Sequence, residues 1–204
     1  MDKTVIVNKA CEVLKEGGVV LLPTDTVYGL CMAAKKDADF SKIYAIKGRL
    51  PEKPLGCFIG GKDDLKRYAS NIPDYVYTLV DAFWPGKLSI VLDASDKICP
   101  FLVAADGSVM FRQAKSELID GIISSLDCPL AQTSANLSGK DAVAGAKDLD
   151  ARIVDAVDYA YRNDSFAAGK DSCPSTVVDC RGKKPIVLRE GAVSVIDIMS
   201  SLGL

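Results

Sequence analysis

The stretch NKACEVLKEGGVVLLP, residues 8–23, decides the fold class. Asn8 can cap a helix whose apolar face is Ala10, Val13 and Leu14, and Gly17-Gly18 supplies its stop. Val19 to Leu22 then run without a polar break, as in a strand buried on both faces, and Pro23 ends it. A helix stopped by glycine and followed at once by a buried strand is the unit of a layered α/β sheet.

The alternation continues downstream. Asp37 can cap a helix with Phe40, Ile43 and Tyr44 inward and Gly48 as its stop, and PLGCFIG (54–60) reads as the next strand. Helices are predicted over 62–69, 73–83, 116–126, near 147–156, and over 194–202. Strands are predicted at KLSIVLDA (87–94), SVMFRQ (108–113) and PLAQTSA (129–135), then at YAYR (159–162), STVVDC (175–180) and PIVLRE (185–190). The late strands are crowded, which predicts a mixed sheet.

At 204 residues, 49% apolar and 25% charged, the chain reads as one globular domain over 1–204 with material for a large core. No N-terminal run has the pattern of a targeting peptide, and the longest apolar run, GVVLLP, is far too short to span a bilayer. The seven cysteines are odd in number and never CxxC, which points to free thiols in the cytoplasm. Cys173 and Cys180 have the wrong spacing for a metal site. The chain has no histidine. That excludes Ser-His-Asp and Cys-His centres and leaves positioning, cations and hydrogen bonds as the means of catalysis.

AIKGRLPEKPL (45–55) places Lys47, Arg49 and Lys53 within seven positions of a chain whose net charge is −2. One reading is a solvated helix end, where cations complement the dipole. Arg49 and Lys53 lie past that end, hemmed by Pro51 and Pro54, which fits a fork for a phosphate chain. PTDTVYGL (23–30) reads either as a strand-end turn or as a strand end whose hydroxyls face a cleft. SANLSG (134–139) has the small side chains and backbone N–H groups that let a phosphate or ribose approach. No Walker or GxGxxG motif is present. STVVD and LREG each put a polar group at the edge of an apolar strand.

In this order, PTDTVYGL, KGR-x3-K-PL, SANLSG, STVVD and LREG resemble the YrdC/TsaC-type threonylcarbamoyl-AMP synthase family from about residue 15 to 195. The resemblance implies a twisted mixed α/β sheet with flanking helices enclosing a positively charged cleft. It implies ATP, L-threonine and bicarbonate as substrates, Mg²⁺ with the ATP, and threonylcarbamoyl-AMP and pyrophosphate as products. The adenylate would feed the threonylcarbamoyl modification of adenosine 37 in tRNA, with tRNA-modification proteins, and RNA itself, as partners.

The resemblance also implies roles. Thr26, Tyr28, Arg112, Gln132 and Ser175 would meet threonine. Arg49, Lys53, Ser108, Ser134, Asn136 and Arg189 would meet ATP, and Lys47 with Arg49 would be catalytic at the phosphates. Phe58 stands where many relatives have histidine, which implies one fewer polar contact to threonine and looser selectivity. The alternatives are a double-stranded RNA-binding module, against which the acidic net charge speaks, and a paralogue of the fold without synthase activity. The related domain of hydrogenase-maturation carbamoyltransferases would need acylphosphatase and zinc-finger parts that 204 residues do not hold.

Overall fold

A computed structural model describes residues 2–48, 54–163 and 173–204. The elements, in chain order, are α1 (Lys3–Lys15), β1 (Val20–Pro23), β2 (Tyr28–Ala33), α2 (Ser41–Lys47), β3 (Gly56–Phe58), α3 (Lys62–Tyr68), β4 (Ala69–Ser70), α4 (Tyr75–Phe83), β5 (Leu88–Ala94) and β6 (Ser108–Arg112). They continue as α5 (Glu117–Leu126), β7 (Leu130–Ser134), α6 (Ala151–Ala156), β8 (Tyr159–Ala160), β9 (Thr176–Asp179), β10 (Ile186–Arg189) and α7 (Val195–Ser201). The strands form one mixed sheet in the order β10-β9-β5-β6-β3-β7-β2-β1-β8, with β4 paired to β5. The β1–β8, β3–β6 and β5–β9 pairs are parallel, and the other pairs are antiparallel.

Three local expectations change. Helix α1 starts five residues before Asn8, because the Asp2 carboxylate accepts the Thr4 N–H and caps it. Asn8 sits exposed in mid-helix, and Ile6, Val7, Ala10, Cys11 and Leu14 form the buried face. Asp39, not Asp37, bonds the start of α2, accepting from the Ser41 N–H at 2.8 Å. Strand β2 was not anticipated. It pairs back onto β1 with Val20 opposite Cys31 and Pro23 opposite Tyr28, so residues 24–27 are the turn of a β-hairpin. The Thr24 hydroxyl makes that turn, donating to the Val27 carbonyl at 2.7 Å and accepting the Thr26 N–H at 3.2 Å.

Alternation along the strands splits the core in two. Leu21, Leu30, Cys57, Ile90, Phe111 and Ala131 face one way, under α2, α3, α4, α6 and α7. Val20, Leu22, Cys31, Phe58 and Leu130 face the other way, under α1 and α5. Those two helices pack on each other and cover β1, β2 and the near ends of β3 and β7. They do not reach across β6, β5 and β9. Among the described residues no helix covers the same sheet face there, and the site lies on it.

Candidate active site

The register carries one set of side chains onto the bare face. Gly56 is opposite Gln132, Phe58 is opposite both Leu130 and Arg112, Val91 is opposite Met110, and Ser89 is opposite Val177. Above them is a cavity of about 360 Å³ lined by Thr26, Gly56, Met110, Arg112, Gln132, Ser134, Asn136, Lys140, Asp141, Ser175 and Arg189, among others. A groove of about 260 Å³ adjoins it, sharing Pro54 and Met110. The groove is mostly apolar, with Leu102, Val91, Val177 and Leu188, and ends at Ser108, Asp106 and Arg181.

Arg112 organises the cavity. Its Nε donates to the Gly86 carbonyl at 2.8 Å, Nη1 to the Thr26 hydroxyl at 3.2 Å and Nη2 to Asp25 at 2.5 Å. The guanidinium lies over the Phe58 ring, 5.6 Å from its centroid. Burial pulls the Arg112 pKa down, Asp25 opposes that, and nearby Arg189 adds to the fall. The Ser175 hydroxyl is 2.8 Å from that of fully buried Ser89, and the Ser175 carbonyl accepts from Arg189 Nη2 at 2.8 Å. Asn136 closes the 137–140 turn by donating its amide to the Leu137 and Lys140 carbonyls, while its Oδ1 is buried and has no hydrogen-bond partner among the described residues.

Of the anticipated site residues, Thr26, Arg112, Gln132, Ser134, Asn136, Ser175 and Arg189 come together around the cavity. Ser108 lines the adjoining groove, its hydroxyl donating to Asp106 at 2.6 Å. Tyr28 is outside the lining. Strand alternation puts it with Leu30 and Met32 in the opposite core, fully buried, and its hydroxyl bonds the Asn163 main chain. Lys47 is also outside the lining and reaches the 134–136 backbone. Arg49 and Lys53 lie outside the described residues.

Phe58 is 1% exposed and outside the cavity lining, with its ring under the Arg112 guanidinium. Sequence reasoning missed Asp25, Ser89, Gly56 and Met110. Gly56 alone carried a signal, as a glycine inside an apolar strand. A Cβ there would stand 2.4 Å from Gln132 Nε2 and 2.8 Å from Met110 Cε.

Fold and site together define an α/β protein with a hydroxyl-lined, arginine-bearing cleft on a bare stretch of mixed sheet. The chain belongs to the Sua5/YciO/YrdC family, described as "Telomere recombination", whose pattern matches residues 12–191. The threonylcarbamoyl-AMP synthase of Bacillus subtilis (strain 168) is 34% identical over 202 residues, covering 97% of this chain and 56% of that protein. The Pyrococcus abyssi Sua5 structure complexed with L-threonine superposes with a TM-score of 0.88 at 27% identity, covering 100% of this chain and 58% of the other. The chain therefore spans little more than half the length of these two relatives. The Escherichia coli YciO structure shares the fold, with a TM-score of 0.83 at 21% identity, covering 97% of this chain and 94% of that one.

Proposed function

We propose that the protein is an L-threonylcarbamoyladenylate synthase, joining L-threonine, bicarbonate and ATP into threonylcarbamoyl-AMP and pyrophosphate. The observation that carries this reading is the convergence of Thr26, Arg112 and Ser175 with Ser134, Asn136 and Arg189 on one cavity. A structural relative bound to L-threonine supports it.

The chemistry suits a chain without histidine. The amine of threonine adds to bicarbonate with loss of water, giving an N-carboxylate. A carboxylate oxygen then attacks the α-phosphorus, and the P–O bond to pyrophosphate breaks. Every reactant at that step is anionic, so the obstacle is charge repulsion, and fixed donors aimed at developing charge are each worth about 3–4 kcal/mol.

Arg112 supplies a cation for the amino-acid carboxylate, and Asp25, Gly86, Thr26 and Phe58 keep it from folding into the bound anion. Thr26 and Ser175 offer hydroxyls, and the resemblance adds the Gln132 main chain on the threonine side. Ser134, Asn136 and Arg189 face the nucleotide, and the resemblance adds Arg49 and Lys53 at the phosphates. The groove running to Ser108 gives the nucleoside end an apolar bed.

Mg²⁺ would enter with ATP and neutralise phosphate charge. Among the described residues no cluster of three acidic, histidine or cysteine side chains could hold a metal, and Asp141 is the carboxylate on the cavity lining. That fits an ion held chiefly by phosphate oxygens.

We place the reaction in the cytoplasm, where seven unpaired thiols would persist. The product would feed threonylcarbamoylation of tRNA adenosine 37. Pyrophosphate release tests the reading. It should require threonine and bicarbonate together, and equal release without threonine would overturn it.

A further inference from the structure

Helix α2 ends on Lys47, and three bonds run from that residue to the loop after β7. Its ammonium donates to the Ser134 carbonyl at 2.5 Å and the Asn136 carbonyl at 2.8 Å. Its own carbonyl accepts the Ser138 N–H at 2.9 Å. The residue is 3% exposed. A buried ammonium is tolerated only where acceptors fill its donors. The two acceptors in the 134–136 loop are main-chain carbonyls, so the grip there is on the path of the backbone, whatever side chains the loop carries. Both Ser134 and Asn136 line the cavity.

The same residue leads directly into the segment bearing Arg49 and Lys53. Gly48, in the left-handed conformation at φ 56°, turns the chain out of the helix at that point. One residue thus joins two stretches that the synthase reading puts on ATP.

We propose that Lys47 is a positioning residue for nucleotide binding, holding the 134–138 loop on the end of α2 so that Ser134 and Asn136 face the nucleotide. The assignment rests on the synthase reading for the identity of that ligand. The grip itself is a property of the ligand-free chain, and this sets it apart from a lysine that meets phosphate directly.

Hydrogen–deuterium exchange of the ligand-free protein, with calorimetric Kd values for ATP and for threonine, tests it. In Lys47→Met, exchange over 134–140 should quicken roughly tenfold while β1 and β2 stay protected. The ATP Kd should rise roughly tenfold or more while the threonine Kd changes less than about twofold. Lys47→Arg, which keeps charge and donors, should recover most of both. If Lys47→Met does not fold, Lys47→Gln, which keeps an N–H donor, carries the same expectations at smaller size. Unchanged exchange over 134–140 with a weakened ATP Kd would overturn the proposal, since Lys47 would then act on the nucleotide itself. Quickened exchange throughout, with both Kd values raised alike, would also overturn it. Exchange and ATP binding need no turnover, so failure of the synthase reading would show separately, as absent pyrophosphate release by the unaltered chain.

Discussion

Arg112 and Asp25 meet at 2.5 Å with their side chains only 5% and 10% exposed. The second Asp25 oxygen is buried and has no hydrogen-bond partner among the described residues. The carboxylate thus neutralises a cation that the cavity needs, and does so through one oxygen. Removing one partner of a buried pair strands the other charge. Asp25→Ala should therefore destabilise the fold by about 3–5 kcal/mol, while the same change in an Arg112→Met background should cost far less. Urea unfolding of the four proteins in a double-mutant cycle measures the coupling, and additive effects would show that the pair is not what holds Arg112.

The Phe58 ring beneath Arg112 leads to a second expectation. A histidine there would sit under the guanidinium, on the border between core and cavity. Phe58→His should leave the ratio of kcat/KM for serine and threonine unchanged, contrary to the expectation of looser selectivity drawn from sequence. Its effect should fall on KM for both amino acids, and it should grow below about pH 6.5, where an imidazolium would repel Arg112. Competition assays at pH 6 and 8 decide the matter. A sharpened preference for threonine, independent of pH, would place the side chain in the pocket.

Much of this was legible in the sequence, for identifiable reasons. The stretches predicted as helices at 116–126 and 194–202 open on Ser116 and Ser194, which accept N–H bonds from Ile119 and Asp197 as capping serines do. Buried strands such as Val20–Pro23 announced themselves by unbroken apolar runs. Strand β2 did not, because its first residues also serve the PTDTVYGL motif and the hairpin turn hides in ordinary Thr-Asp-Thr chemistry. The motif residues Thr26, Ser134, Asn136, Ser175 and Arg189 do converge, together with Arg112. What no motif carries is which face a residue takes. Tyr28 went to the core by strand alternation, and Asp25 and Ser89 act through partners 87 and 86 residues away. Such pairings exist only once the register is fixed.

Arg181 closes the far end of the groove, bonding Asp179 at 2.7 Å and Asp106 at 2.9 Å. The hydrogen bond from Arg181 holds the Asp179 carboxyl below the usual carboxylate range, against the opposing effect of burial. A depressed folded pKa contributes stability that is present above the unfolded value of about 3.9 and lost as pH falls through the folded one. Asp179→Asn should therefore lower Tm at pH 7 and flatten the fall in Tm below about pH 4. Parallel Tm profiles for the two proteins would mean that the carboxylate titrates alike in both states.

Gly56 separates the needs of the cavity from those of the fold. It lies on β3 opposite Gln132, where a Cβ would meet the Gln132 amide at 2.4 Å and the Met110 methyl at 2.8 Å. Both are the far ends of flexible side chains, so they can move, and the bare side open to them is the cavity itself. Gly56→Ala should thus displace Gln132 and Met110 into the space that ligands need. The backbone has no reason to suffer, since alanine loses less freedom on folding than glycine by about 0.5–1 kcal/mol. The expected result is a KM for threonine or ATP raised by roughly tenfold or more, with Tm unchanged or slightly higher; a loss of this size corresponds to about 1.4 kcal/mol of binding. Unaltered kinetics would show that the two side chains can repack without entering the cavity. A large fall in Tm would show that Gly56 serves the sheet, not the site.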